Sequence, residues 1–408
     1  MESLFWWVVA LVLLQGLLGA AEGMKYLTYI WRYLGIQQPS WTPGASVFLP
    51  CKGAEEGLSL NVEALLDQDY PDYEVIFVTA DSNDSALLFL REQATRHPQR
   101  TVKFAAAGTT DDRGEKVNNL IEAVSHASPK SEVFVFTDSD CRPHQLWLRQ
   151  LIAPLTEPSV GVSTGYRWCF PEKDNFAGAL RSTWNASIAT LLGDHDRNFC
   201  WGGSMAIRRE TFERARVLDC WRHSVSDDYS MSIAVRAAGL TIHYEPRCLT
   251  GSHGRTRLRE FLQWATRQLL LTRVYSPRLW SLAFIFQIPF VAGWWWLVGN
   301  CAVDITRLLQ GAPNLYPHSL WPRILSIFMI YCLSMVRGIY RLKAITLIRA
   351  DSRSEILRYA WAHVLMAPLV STVTAYALLA SLLTRRLEWR GVEYELISPR
   401  EVRVIRNV

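Results

Sequence analysis

Two patterns of hydrophobic spacing divide the chain. Through its first two thirds, short β-branched and aromatic runs at 46–49, 74–79, 102–105 and 133–136 alternate with helical stripes at 58–66 and 86–96 and with a helix opening near Lys116. Strand, helix, strand, helix, strand is the signature of a parallel sheet covered by crossover helices, which predicts an α/β domain over 44–256. A short strand at 204–207 follows, and a further helix opens at Ser226. The flanks are different. Runs without charge at 3–21, 279–303 and 359–384 are each long enough to cross the ~30 Å core of a bilayer. They predict an N-terminal anchor over 1–22, a transmembrane helix over 279–303, and a transmembrane or re-entrant segment over 359–384, with a bend expected near Pro368. A shorter run predicts another membrane helix over 323–341, leaving 385–408 as a basic tail. Between domain and membrane, 257–277 sets apolar residues at helical spacing among arginines, as an amphipathic helix lying on the membrane surface does.

Composition narrows the class. The chain has 408 residues, 50% of them hydrophobic, and a net charge of +5, which suits a membrane-surface protein rather than a nucleic-acid binder. Lys25 and Arg32, just past the first run, favour the cytoplasmic face for the domain, and hence an integral, multi-pass protein. Its 8 cysteines form no Cys-x-x-Cys pair, which argues against a zinc site.

The chemistry concentrates at strand ends. Asp138 and Asp140 follow the 133–136 run and, two residues apart, point the same way. They read either as a solvated turn or as a pair gathered around a cation. Asp81 ends the 74–79 run. Lys116 and Asn119 stand where a helix begins, either as a phosphate-holding loop or as an ordinary helix start. Gly203, beside Gly202, allows a ligand close to backbone or makes a plain turn. Asp227 and Asp228 open another helix; one suffices for capping and dipole, leaving one spare. Arg267 faces either the membrane surface or an anion. His253 is a weaker candidate ligand, read first as a core or surface residue.

The order of "FLPCKG", "LLDQDYPDYEVIFV", "ADSNDSA", "KVNNL", "TDSD", "GGSMAIRRE", "SDDYSM", "TRQ" and "WRGVEY" resembles the membrane-bound family 2 glycosyltransferases, and most closely their ceramide glucosyltransferase-like branch. The resemblance implies a Rossmann-like GT-A domain that takes a nucleotide sugar, Mn²⁺ or Mg²⁺, and a membrane lipid acceptor. It implies Asp140 and Asp138 as metal ligands, and Asp81, Asp138, Lys116, Asn119, Gly203 and Gln268 at the donor. Asp228 would be the base, Asp227 its neighbour, and Arg267 the diphosphate ligand. The usual Gln-x-x-Arg-Trp is altered here to Trp264-Ala265-Thr266-Arg267-Gln268. Without the final indole, single addition with inversion is expected over processive polysaccharide synthesis, and Trp264, one turn earlier, is the candidate acceptor platform. A catalytically silent membrane scaffold is the rival from another class.

Overall fold

The computed structural model describes residues 2–54, 57–311 and 320–405. Seven strands form one sheet: β1 (Ala45–Pro50), β2 (Tyr73–Thr79), β3 (Thr101–Ala106), β4 (Val133–Thr137), β5 (Val160–Pro171), β6 (Ser204–Arg208) and β7 (Thr241–Gly254). Their order is β3-β2-β1-β4-β6-β5-β7. The expected α/β class is present. β1 to β4 run parallel, while β6 is antiparallel to β4 and β5, so the sheet is mixed. Alternation along each strand splits the core into two layers. Val47, Leu49, Val75, Phe77, Val133 and Val135 face the helices Leu58–Leu66, Ser85–Thr95 and Trp147–Ile152. Phe48, Ile76, Val78, Phe134 and Phe136 face Glu115–Ser125 and Asp227–Ala237. Strand order reverses between β1 and β4, since β2 and β3 lie on one side of β1 and β4 on the other, and ligands of open α/β sheets bind at such a switch. Asp138 and Asp140 lie there.

The long strands β5 and β7 were not expected, because glycine and serine interrupt their apolar alternation. Gly165 shows why glycine is needed: a Cβ there would lie 2.1 Å from the Cys248 carbonyl oxygen and 2.5 Å from Ser204 Oγ. The two neighbouring strands simply pass too close for a side chain.

Among the described residues, three helices are long and apolar enough to cross a membrane: Glu2–Leu34, Pro277–Leu309 and Leu320–Ile348. Phe5, Val9, Val12, Trp294, Leu297 and Ile330 pack them together. The first helix continues past residue 22, because Tyr26, Tyr29, Ile30 and Tyr33 form a stripe that docks on the α/β domain. Tyr29 donates to the Tyr244 carbonyl at 2.7 Å and Tyr33 to the Glu245 carboxylate at 2.7 Å, while Arg247 donates to the last carbonyls at Tyr33, Leu34 and Ile36. The run at 359–384 is not one helix. It divides at Met366 into Ala360–Leu365 and Ala367–Leu383, with Pro368 in the first turn of the second.

The tail is a correction. From Arg386 onward it folds into an antiparallel sheet of β8 (Arg386–Trp389), β9 (Val392–Ser398) and β10 (Glu401–Ile405). Arg390 and Gly391, at φ 51° and 78°, supply the two-residue hairpin turn. Leu387, Tyr394, Leu396 and Val402 pack on Leu270, Leu271 and Tyr275 of the helix Leu258–Tyr275. Basic residues obscured this alternation.

Within the bundle, Arg323 and Asp304 form a buried ion pair at 2.8 Å, with the guanidinium 4.4 Å from the Phe5 ring centre. Removing one partner leaves an uncompensated buried charge, which costs about 3–5 kcal/mol, whereas replacing both is close to neutral. Asp304→Leu is therefore expected to lower the melting temperature in detergent sharply, and adding Arg323→Met to restore most of it; equal losses in the single and double variants would refute the pair's role.

Candidate active site

The site forms where the C-terminal ends of β1 and β4 meet the helix starts at Glu115 and Asp227. Lys116 bridges two acidic segments: its Nζ lies 2.7 Å from Asp138 and 3.0 Å from Asp227. The bridge decides how the Asp227–Asp228 pair divides its work. Ser226 caps the helix, accepting from the Tyr229 N–H. Asp228 sits half-buried and accepts from the Ser226 hydroxyl, from the Tyr229 N–H at 2.7 Å and from the Gly202 N–H at 3.3 Å. Asp227 is buried against Lys116, and its Oδ2 has no hydrogen-bond partner among the described residues. Burial pushes its carboxyl up to about 6 against the pull of Lys116, with Asp228 and Asp138 adding to the rise.

Asp140 faces a different set of cations. Arg167 reaches it at 3.3 Å from β5, and Ser252 Oγ lies at 3.5 Å. Burial raises its carboxyl, but Arg167, Arg181, Arg390 and Lys116 outweigh burial and hold it below the usual carboxylate range. Arg390, in the β8–β9 turn, donates to Ser139 Oγ at 3.4 Å. The Arg267 guanidinium lies 5.0 Å from the Trp389 ring centre. Burial and the neighbouring Arg167, Arg181 and Arg390 bring its pKa down to about 10. Arg167 and Arg181 in turn lie over the Trp264 ring at 5.4 and 5.0 Å. The Nε atoms of Arg167, Arg181 and Arg267 are buried and have no hydrogen-bond partner among the described residues. Such an assembly is built to receive anions.

Asp138 and Asp140 each offer an oxygen, and Cys141 its sulfur, within 4.8 Å of one another. The oxygens suit Mg²⁺ or Mn²⁺. Burial and then the two aspartates push the Cys141 thiol pKa far up, and such hard cations favour the oxygens over its sulfur. His253 stacks on Phe170 at 4.7 Å, with Nδ1 3.8 Å from Glu355, which accounts for it as a packing residue.

Other expected residues are placed variously. Asp81 is exposed beyond β2, its carboxylate accepting the Asn83 N–H. Asn119 is buried, and its Oδ1 lacks a partner among the described residues. A Cβ on Gly203 would lie 2.3 Å from the Trp201 ring and 2.9 Å from Cys141 Sγ, so this glycine serves the packing behind the acidic loop. Gln268 is half-buried beside Arg267. An indole does stand beside Arg267, that of Trp389 from the tail. Trp264 carries two arginines and stands edge-on to Trp184 at 5.0 Å, so an open platform for a sugar is not what it presents.

The model of glycosyl transferase family 21 matches residues 11–402. The chain belongs to that family. Ceramide glucosyltransferase 1 of Caenorhabditis elegans is 30% identical over 202 residues, 48% of this chain and 43% of that protein. Ceramide glucosyltransferase 3 of the same worm is 27% identical over 92 residues, 22% of this chain and 20% of that protein. The chain thus spans under half the length of either. Glycosyltransferase AglE of Haloferax volcanii is 22% identical over 268 residues, 61% and 84% of the two chains. Among solved structures, the mannosyltransferase PcManGT of Pyrobaculum calidifontis, in complex with GDP-Man and Mn²⁺, is 16% identical over 92% of this chain and 98% of its own, at a TM-score of 0.46. That likeness is too loose to bear on function.

Arg167, Arg181 and Arg390 were not singled out from the sequence. Arg167 in "GYRWCF" and Arg181 in "GALRSTW" are cations inside apolar stretches, and that incongruity is the signal that marks them.

Gly202 lies against the bridge itself: a Cβ there would lie 2.5 Å from Asp227 Oδ2 and 2.8 Å from Lys116 Nζ. Gly202→Ala should displace the bridge and weaken nucleotide-diphosphate binding by about tenfold or more, equivalent to about 1.4 kcal/mol. Calorimetric titration with unchanged affinity would show that the bridge does not position the donor.

Proposed function

We propose that the protein is a membrane-bound hexosyltransferase, transferring one sugar from a nucleotide-sugar donor to a membrane lipid with inversion. The observation that carries this reading is the pairing of Asp138 and Asp140 with a group of arginines at the sheet's switch point. Carboxylates suit a divalent cation, and arginines suit a diphosphate. A Mg²⁺ or Mn²⁺ ion on Asp138 and Asp140 would neutralise charge on the diphosphate when bound. Arg267, stacked on Trp389, and Arg390 are assigned to the departing nucleoside diphosphate, where charge develops. Lys116 holds Asp138 in place, and Asp227 holds Lys116. Asn119 and Gly203 support the donor pocket, Gln268 lines it, and Asp81 reaches the nucleoside. With a hydroxyl acceptor of the kind that the worm relatives' names imply, Asp228 is the group assigned to take its proton.

Single addition is favoured because Trp264 already carries two guanidinium groups and Trp389 is engaged by Arg267. A processive synthase needs an apolar face free for the growing chain. The first helix and Pro277–Leu309, with Leu320–Ile348, form a multi-pass anchor, and the domain is assigned to the cytoplasmic face. The segment at 359–384 is assigned as re-entrant, its backbone groups covered by protein.

Asp140→Asn should abolish Mn²⁺-dependent binding of nucleotide sugars while the protein still folds and inserts. Unchanged Mn²⁺ titration by the folded variant would remove Asp140 as a ligand, and failure of the parent protein to bind any nucleotide sugar would favour a silent scaffold. For the topology, single cysteines placed at Arg349 and Arg400 of a cysteine-depleted protein are expected to label from the same face; labelling from opposite faces would make 359–384 a full crossing.

A further inference from the structure

A groove of about 620 Å³ opens between the C-terminal ends of Glu2–Leu34 and Leu320–Ile348 and the short helix Arg353–Arg358. None of the acidic-loop residues lines it. Arg32, Lys343 and Arg353 converge there from three separate elements, around Leu27, Trp31 and Leu347. All three cations are exposed, and among the described residues their side chains make no ion pair or hydrogen bond. The acidic residues near them in sequence are engaged elsewhere: Asp351 with Arg349 at 2.9 Å, Glu355 with His253 at 3.8 Å, and Glu22 with Lys25 at 2.8 Å. The groove is therefore positive without internal compensation.

Membrane orientation asks only for cations near a span, wherever they point. It does not account for three of them converging from separate elements on one concavity with an apolar lining. Trp31, 69% exposed, leaves its indole open to a ligand.

Height narrows what that ligand is. With the bundle placed in the bilayer as assigned above, the uncharged run of the first helix ends at Ala21, and Leu27 to Arg32 stand about 9–17 Å beyond it at 1.5 Å per residue. The uncharged run of Leu320–Ile348 ends at Val336, so Lys343 and Leu347 stand about 10–17 Å beyond. The two helices agree. The head-group layer extends only about 5–8 Å from the hydrocarbon core. A glycerol phosphodiester therefore lies below the groove, and an anion that reaches it is carried outward on the head group.

We infer that the groove binds a membrane lipid whose extended polyol head group bears a phosphomonoester. That phosphate meets Arg32, Lys343 and Arg353, as guanidinium and ammonium groups suit phosphate oxygens, and the C–H face of the polyol ring meets Trp31. Basic pockets beside membrane helices suit such head groups. The lipid is a bound ligand at a site of its own, distinct from the donor and acceptor of the transfer reaction.

The test is thermophoretic titration of the full chain in neutral detergent with dioctanoyl phosphatidylinositol 4-phosphate as the probe. It is expected to bind at least about tenfold tighter than dioctanoyl phosphatidylserine or phosphatidylcholine. Arg32→Gln, Lys343→Gln and Arg353→Gln should each weaken it by about fivefold and the triple variant by much more, with melting temperatures unchanged and Lys343→Arg keeping its affinity. Full affinity in the folded triple variant would overturn the groove as the site. Phosphatidylserine binding as tightly as the probe would overturn the extended head group. Free inositol 1,4-bisphosphate binding equally well would overturn the lipid source, and equal competition by polyglutamate would make the groove a dock for an acidic protein segment instead. None of these outcomes depends on nucleotide-sugar binding, so each leaves the transferase reading standing.

Discussion

Lys116 makes the site possible. Asp138 ends β4 and Asp227 starts a helix far along the chain, and without a cation between them two carboxylates would repel in a poorly solvated space. At 2.7 and 3.0 Å, the ammonium joins the segments. Gly202 leaves it room. With Asp227 committed to that bridge and Asp138 drawn toward it, Asp140 alone turns to the arginines, and the site gains distinct acidic and basic sides. The metal and diphosphate proposed for this site would use that separation.

The membrane helices are part of the same construction. Tyr26 and Ile30 of the first helix share an apolar cluster with Tyr166, Trp168, Tyr244 and Leu342, so the anchor is packed directly onto β5 and β7. Those strands carry Arg167 and Ser252, both of which contact Asp140. Position in the bilayer and geometry at the acidic loop are therefore mechanically linked. The tail sheet closes the other side, seated on the helix that bears Arg267.

Much of the fold was legible because its signals are local. The strands at 46–49, 74–79 and 133–136 are apolar on both faces, and the turn after each carries polar residues at the edge where ligands bind. The acidic loop, Lys116 and Arg267 stood out by type and position. Trp389 and Arg390 lay in a motif that carried the resemblance, but their role was not legible, because it comes from a hairpin that folds back across more than a hundred residues onto Arg267. Arg167 and Arg181 escaped notice for a related reason: each is surrounded in sequence by apolar residues, and only the packing of β5 against the helix Phe176–Ala189 brings them together over Trp264. The break in the run at 359–384 is invisible to hydropathy, which counts apolar residues, but Pro368 marked it, and that proline lies in the first turn of the helix Ala367–Leu383.

The central claim is that one face of this site holds a metal-bound diphosphate between Asp138, Asp140 and Arg267. The most direct measurement is anomalous diffraction from crystals grown with Mn²⁺ and a nucleoside diphosphate. The account predicts one strong manganese peak within coordination distance of Asp138 and Asp140, about 2.0–2.2 Å from their oxygens, with the terminal phosphate turned toward Arg267. A peak at other residues, or a diphosphate bound away from Arg267, would contradict it.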